Sequence, residues 1–483
     1  MHLSSLPSPY GIGTMGKAAY EFADFLQESG QKLWQMLPIS PTSYGDSPYQ
    51  SFSTFAGNPY FIDLDLLAKD GLLSAEDYAP LDWGGDPSRV DYAKIYENRF
   101  PVLKKAYQCF AEKQPEDFEE FAAEQNEWLE DYALFMALKF EQGGAPWLDW
   151  PADLRVRKAS ALTAAKKRLA EEIGFWKFVQ YEFFTQWRAL KEYVNGKGIR
   201  LIGDLPIYVA LDSADAWSKP KMFLLDEERQ PVVVAGCPPD YFSETGQLWG
   251  NPIYNWSYLK RTGYQWWIRR IGAAVSNFDM VRIDHFRGFE SFWAIPAGDE
   301  TAVDGEWRKG PGMDLFRKAE EALGKTAIIA EDLGLITEPV RELLAESGYP
   351  GMKVLEFAFS IGHESDYLPH KYPQNCICYT GTHDNDTILG WLKSLSEEEL
   401  DYVLDYLRSG SLEEGVWDLI ALAWSSPADT AITQMQDFLE LGSEARMNIP
   451  SIAATNWQWR ALPGQYGQEL AGKIEKLTNL YWR

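Results

Sequence analysis

A short apolar run that ends in a carboxylate and is followed by a helical stretch recurs along this chain, and it constrains the fold more than any other feature. Ile199-Arg200-Leu201-Ile202-Gly203 ends in Asp204, Met280-Val281-Arg282-Ile283 in Asp284, and Ala327-Ile328-Ile329-Ala330 in Glu331. Cys376-Ile377-Cys378-Tyr379 reaches His383-Asp384 after a short turn. Apolar runs this short, bounded by polar clusters, read as buried strands. Residues 33–38 and 352–359 read as further strands of the series. Between the runs lie helical patterns. Phe175, Val179, Phe183, Trp187, Leu190 and Val194 fall on one helical face, and Asn195-Gly196-Lys197-Gly198 supplies the stop. Residues 18–26, 313–323 and 338–346 read as shorter helices. Strand alternating with helix over such a length argues a parallel sheet. The expected fold class is α/β, a (β/α)8 TIM-type barrel with helical and irregular insertions.

Two segments break the rhythm. In 64–174, Phe100, Leu103, Tyr107 and Phe110 make one helical face, 118–140 reads as a second helix, and Pro115, Pro146 and Pro151 punctuate the region. This reads as a helical subdomain inserted into the series. Residues 211–258 contain the Pro-, Gly-, Trp- and Tyr-rich stretch 234–256 and read as a long irregular loop, a length that is usually functional. The expected organisation is a single catalytic barrel domain, 1–483, interrupted by these two insertions.

In a parallel barrel all strand C-termini open on one face, and that face holds the active site. Asp204, Asp284, Glu331 and Asp384 all fall at or just past such ends, so the four carboxylates can converge. Clustered carboxylates suit glycoside cleavage, in which one carboxylate attacks the anomeric carbon or activates water while a protonated partner donates to the leaving oxygen. Arg282 lies two residues before Asp284, so on a strand the two side chains share a face. A cation there favours the ionised form that a nucleophile needs. Glu331 follows four apolar residues, the environment that favours a protonated acid. Set singly, an Asp at a strand end is more often a helix cap or a surface charge; four acids in one pattern weigh against that.

Composition narrows the partners. The net charge of −26 disfavours nucleic acid and anionic membranes, so the expected substrate is neutral or small. The chain carries 20 Trp, 25 Tyr and 25 Phe, a rich share for which a large core is one reason and sugar binding another, since flat rings can stack on apolar sugar faces. Trp266 and Trp267 read as core, whereas Trp249 and Trp256 read equally as core or as sugar platforms. Four cysteines make no disulfide framework and no CxxC pair, and read as reduced thiols. The first residues show no basic region followed by an apolar stretch, and no run of roughly eighteen apolar residues occurs, so a cytoplasmic location is expected. Gly11-Ile12-Gly13-Thr14-Met15-Gly16 matches a dinucleotide fingerprint, yet it follows Pro7 and Pro9 rather than a strand, and reads as a turn opening a helix. With five His, no HExxH and no close His pair, no metal and no cofactor is expected.

Several longer motifs, in order, resemble the amylomaltase family, glycoside hydrolase family 77. They are Ser4-Ser5-Leu6-Pro7-Ser8-Pro9-Tyr10-Gly11-Ile12-Gly13, Gly45-Asp46-Ser47-Pro48-Tyr49-Gln50-Ser51 and Phe55-Ala56-Gly57-Asn58-Pro59. Gly203-Asp204-Leu205-Pro206-Ile207-Tyr208-Val209, Arg282-Ile283-Asp284-His285-Phe286-Arg287-Gly288, Ala330-Glu331-Asp332-Leu333-Gly334 and Gly381-Thr382-His383-Asp384-Asn385 complete the set. The glycine fingerprint is thus part of the first signature. The resemblance implies Asp284 as nucleophile, Glu331 as general acid/base and Asp384 as transition-state stabiliser. It implies that Arg282, His285, His383 and Asp204 position the sugar, that Tyr49 lines the donor side, and that Trp249 or Tyr241 lies near the acceptor. It also implies transfer of α-1,4-glucan segments to a free 4-hydroxyl without a cofactor and with retention, hence a separation of about 5–5.5 Å between Asp284 and Glu331. The family carries apolar residues before its first signature as an initial strand; only Met1-His2-Leu3 precede Ser4, so an incomplete first strand is expected. The alternatives are an α-glucan hydrolase on the same fold and a glucan-binding protein without turnover; the second sits poorly with all three catalytic carboxylates being present.

Overall fold

Seven parallel strands carry the architecture of this chain, seen in a computed structural model that describes all residues but 240–242, 363, 451, 453 and 454. They are β1 (Leu33–Gln35), β2 (Arg200–Leu205), β3 (Met280–Ile283), β4 (Ile328–Ala330), β5 (Gly351–Val354), β6 (Cys376–Tyr379) and β7 (Thr430–Ile432). Strands β1 to β4 form one ladder in chain order, with Asp204 opposite Arg282 and Arg282 opposite Ile329. Strands β5 to β7 form a second, and Ala330 N–H donating to Pro350 C=O at 2.9 Å joins the two. Leu33, Ile202, Met280, Ile329, Met352, Val354, Ile377, Tyr379 and Ile432 meet in one cluster. Every one of these seven strands contributes to it, so they surround a filled interior in the manner of a (β/α)8-type barrel, with β1 and β7 unpaired to each other among the described residues.

The central strands are buried on both faces, as in Cys376–Tyr379 and Ile328–Ala330, while β1 and β7 are only partly covered. The long helix Ala170–Gly196 packs Phe175, Val179, Phe183, Trp187, Leu190 and Val194 inward, and Gly198 beyond its end takes φ +77°, where a side chain would be strained. Met1–Ser5 forms no strand; Leu3–Ser5 is a single 3-10 turn, and Met1 C=O accepts the Trp34 Nε1–H at 2.7 Å. A cavity of about 400 Å³ lies between β1 and β7. Gly11 to Gly16 is a turn leading into helix Lys17–Glu28.

The two interrupting segments differ from expectation in detail. Residues 118–140 are not one helix but part of two, Glu116–Glu124 and Asn126–Glu141, which break at Gln125. The 211–258 segment is not an unstructured loop. Its strands Val233–Cys237 and Gln247–Pro252 join Ser291–Pro296 and Glu306–Lys309 in an antiparallel sheet. Residues 352–359 are a strand only to Val354 and then turn as a 3-10 helix, Leu355–Ala358. Among the described residues, no helix is long and apolar enough to cross a membrane.

Candidate active site

The C-terminal ends of β2, β3 and β4 and the turn after β6 bring the expected carboxylates to one end of the barrel. Asp204 and Arg282 are direct neighbours across the β2–β3 ladder, with side chains 1% and 5% exposed. One guanidinium nitrogen of Arg282, Nη1, donates to both Asp204 oxygens at 2.8 Å and lies 3.0 Å from Asp284 Oδ1. Burial works against the charge on Arg282, but Asp204, Asp284, Tyr49 and Glu331 overcome it and raise its pKa well above the ordinary value. Arg282 is therefore a fixed cation beneath Asp284. Asp284 itself is 28% exposed on its side chain, accessible from the barrel mouth.

Glu331 is held differently. The His285 N–H donates to its Oε2 at 2.6 Å and the Leu333 N–H to its Oε1 at 2.8 Å. Both bonds favour the anion, yet burial, with the charge of Asp284 added, outweighs them and raises the carboxyl to about 7. His285 follows Asp284 directly and takes the left-handed backbone conformation, φ 52°. That turn is what aims its N–H at Glu331, so nucleophile and acid candidates are tied together by one residue. Burial also lowers the His285 imidazole to about 4, so its ring is neutral.

The remaining expected residues surround this pair. Tyr49 donates its hydroxyl to Asp204 Oδ2 at 2.7 Å and stacks on His383, ring centres 5.0 Å apart. His383 Nε2 lies 3.4 Å from Asp384 Oδ1. Asp384 is the most open of the acids, 49% exposed. Trp249, on the edge strand of the antiparallel sheet, sets its ring edge-on to His285 at 4.9 Å. Asp204 is thus bonded to both Arg282 and Tyr49. Tyr241 lies outside the described residues. Trp256 packs on Tyr254 and Trp267, and Trp266 and Trp267 are buried.

Sequence reasoning missed the far wall. Asn448 Nδ2 donates to Asp384 Oδ1 at 2.6 Å, Arg446 donates to the Asp384 carbonyl at 2.6 Å, and Trp457 faces both Tyr49 and His383. These residues belong to a segment without helical or strand period, and nothing local in the sequence marks them. Among the described residues, no three His, Cys, Asp or Glu side chains are grouped to hold a metal ion.

This arrangement supplies a part-exposed carboxylate over a buried guanidinium, a carboxyl that burial raises to about 7, and a third, more open carboxylate at the turn after β6. The 4-alpha-glucanotransferase family profile matches residues 1–464. A 4-alpha-glucanotransferase of Clostridium butyricum is 51% identical over 485 residues, covering 100% of both chains. One of Thermus thermophilus is 51% identical, covering 99% of this chain and 97% of its own. The solved amylomaltase from Streptococcus agalactiae in complex with acarbose superposes with a TM-score of 0.98 at 44% identity, covering 100% of this chain and 98% of that one. The chain belongs to the 4-alpha-glucanotransferase family, glycoside hydrolase family 77.

Proposed function

We propose that this enzyme transfers α-1,4-glucan segments to the 4-hydroxyl of an acceptor glucan or glucose by a retaining double displacement, with Asp284, Glu331 and Asp384 as its catalytic residues. The observation that carries the reading is the opposite setting of two neighbouring carboxyls: Asp284 has Arg282 at 3.0 Å, while burial raises Glu331 to about 7. In the first step an Asp284 oxygen attacks the anomeric carbon, the glycosidic C–O bond breaks, and Glu331 gives its proton to the departing oxygen. A glycosyl ester on Asp284 and a Glu331 carboxylate result. In the second step Glu331 takes the proton of the acceptor 4-hydroxyl, whose oxygen displaces Asp284 from the same carbon. Two inversions leave the configuration unchanged.

Asp384 stabilises positive charge developing on the sugar ring, with Asn448 and His383 orienting its carboxylate. Arg282 and Asp204 act through Asp284 and Tyr49 as positioning groups. Tyr49 and His383 line the donor side, and His285 and Trp249 line the path of the acceptor. The ligands expected are maltooligosaccharides, starch or glycogen, and the reaction needs no cofactor. Transfer requires that a sugar occupy the acceptor side before water reaches the ester; the antiparallel sheet that carries Trp249 is the element that shields it. Replacing Asp284 with Asn tests the assignment: transfer should fall by about four orders of magnitude or more with the thermal unfolding curve retained. Near-unaltered turnover by that variant rejects it.

A further inference from the structure

Behind the turn that carries His383 and Asp384 lies an acid that the proposed reaction does not use. Glu356 follows β5, on the 3-10 helix Leu355–Ala358, and its N–H donates to Thr380 C=O at 3.3 Å. It therefore sits across from the start of the turn after β6. Its Oε1 is buried and has no hydrogen-bond partner. The same oxygen lies against Gly381. A Cβ built on Gly381 would stand 2.6 Å from it, 2.9 Å from Gln434 Nε2 and 3.2 Å from the Asn385 Cβ. Gly381 does not take a positive φ, so it is the approach of these neighbours, not the backbone conformation, that calls for a glycine.

From Glu356 a line of contacts leads to Asp384. Asn385 offers its side-chain amide to the Glu356 carboxyl. The Asn385 Oδ1 accepts the Thr382 N–H at 3.0 Å and the Thr382 hydroxyl at 2.8 Å, and the Asp384 N–H donates to that hydroxyl at 3.3 Å. Arg446 and Asn448 hold Asp384 from the far wall; Glu356 and Asn385 meet the same turn from the side of β5. Two further acids pack here. Asp437, 1% exposed, accepts the Thr380 hydroxyl and the Ile388 N–H, both at 2.8 Å. Asp386 accepts the Ser443 hydroxyl at 2.6 Å and the Thr387 N–H at 2.8 Å, and Gln434 Nε2 donates to its carbonyl at 3.2 Å. Burial, with Asp437 and Asp386 added, outweighs the pull of Asn385 and Arg446 and holds the Glu356 carboxyl well above the usual carboxylate range. An uncharged acid can rest against Gly381 without a counter-ion.

We propose that Glu356 is a positioning residue for the glucan transfer: its carboxyl fills the space beside Gly381 and, through Asn385 and Thr382, sets the turn that presents Asp384 to the sugar. The inference rests on the reading of Asp384 as the group that stabilises the transition state.

Three variants separate reach from charge. Glu356→Gln keeps the length and shape of the uncharged acid and should keep kcat on maltotriose within about twofold. Glu356→Ala empties the space, and Glu356→Asp leaves the acid one methylene short of Gly381. Each of these two should lower kcat about tenfold, with KM changed less. Because Glu356 acts through Asp384, its loss should matter only while Asp384 is present. In an Asp384→Asn background, with fluoride release from α-maltosyl fluoride as the measure of residual turnover, Glu356→Ala should cause no further fall. Full activity of Glu356→Ala overturns the inference. So does a Glu356→Gln variant as impaired as Glu356→Ala, or a further loss of about tenfold in the Asp384→Asn background. Unaltered turnover of maltotriose by Asp384→Asn alone rejects the reading of Asp384, and the positioning role with it. Hydrolysis in place of transfer, with the three variants still ranked as expected, rejects only the transfer reading.

Discussion

In the proposed reaction Glu331 carries both proton transfers. Two backbone N–H groups hold its oxygens in place, and burial keeps its proton on. The first step needs that proton, so kcat/KM should fall as pH rises through about 7, measured as initial rates on maltotriose across pH 5 to 9. A flat profile through that range contradicts the assignment. The same shift has a stability consequence. The folded pKa lies above the ordinary 4.5, so the folded state binds the proton more tightly than the unfolded chain. Relative stability is therefore lost as pH rises from 4.5 to about 7, and the Tm of Glu331→Gln measured against the unmodified protein should be more favourable at pH 8 than at pH 4. Arg282 predicts the opposite sign. Arg282→Met leaves Asp204 buried without its cation and should cost about 3–5 kcal/mol in denaturant unfolding. A loss under about 1 kcal/mol would show that Asp204 is not held as a buried anion.

At the scale of elements, the site depends on a wall that has no regular period. Arg446 and Asn448 fix the turn bearing Asp384. Asn448→Ala removes a charge-assisted bond to an exposed carboxylate, so it should lower kcat about tenfold with little change in Tm. An unchanged kcat would mean that Asp384 needs no such support. This wall was invisible in the sequence because its contacts with Asp384 join residues some sixty positions apart, and no local pattern encodes them. The carboxylate-ended strands were legible for the converse reason. In each, a buried run and the group it presents are neighbours in the chain, so β3 and β6 appear at Met280–Ile283 and Cys376–Tyr379 as read. The antiparallel sheet was hidden because its strands contain Gly and Pro and pair across a long gap, Val233–Cys237 with Ser291–Pro296. The break at Gln125 was hidden because apolar residues continue on both sides of it. β7, only Thr430–Ile432, is too short for any period to show.

At the scale of the molecule, the barrel supplies the carboxylates and the interrupting segments supply what surrounds them. The motifs at 45–59, 203–209, 282–288, 330–334 and 381–385 converge although each was read separately, because strands of one barrel end on one face. The antiparallel sheet brings Trp249 against His285, the residue next to Asp284. If this sheet keeps water from the ester, Trp249→Ala should raise the share of hydrolysis relative to transfer several-fold while total bond cleavage changes less. An unchanged share would assign the shielding to another element. The account as a whole turns on transfer. Incubation with maltotriose alone, followed by product size and total reducing ends, tests this most directly. Longer oligomers and glucose accumulating at constant reducing ends is the predicted result; rising reducing ends with only shorter products would contradict it.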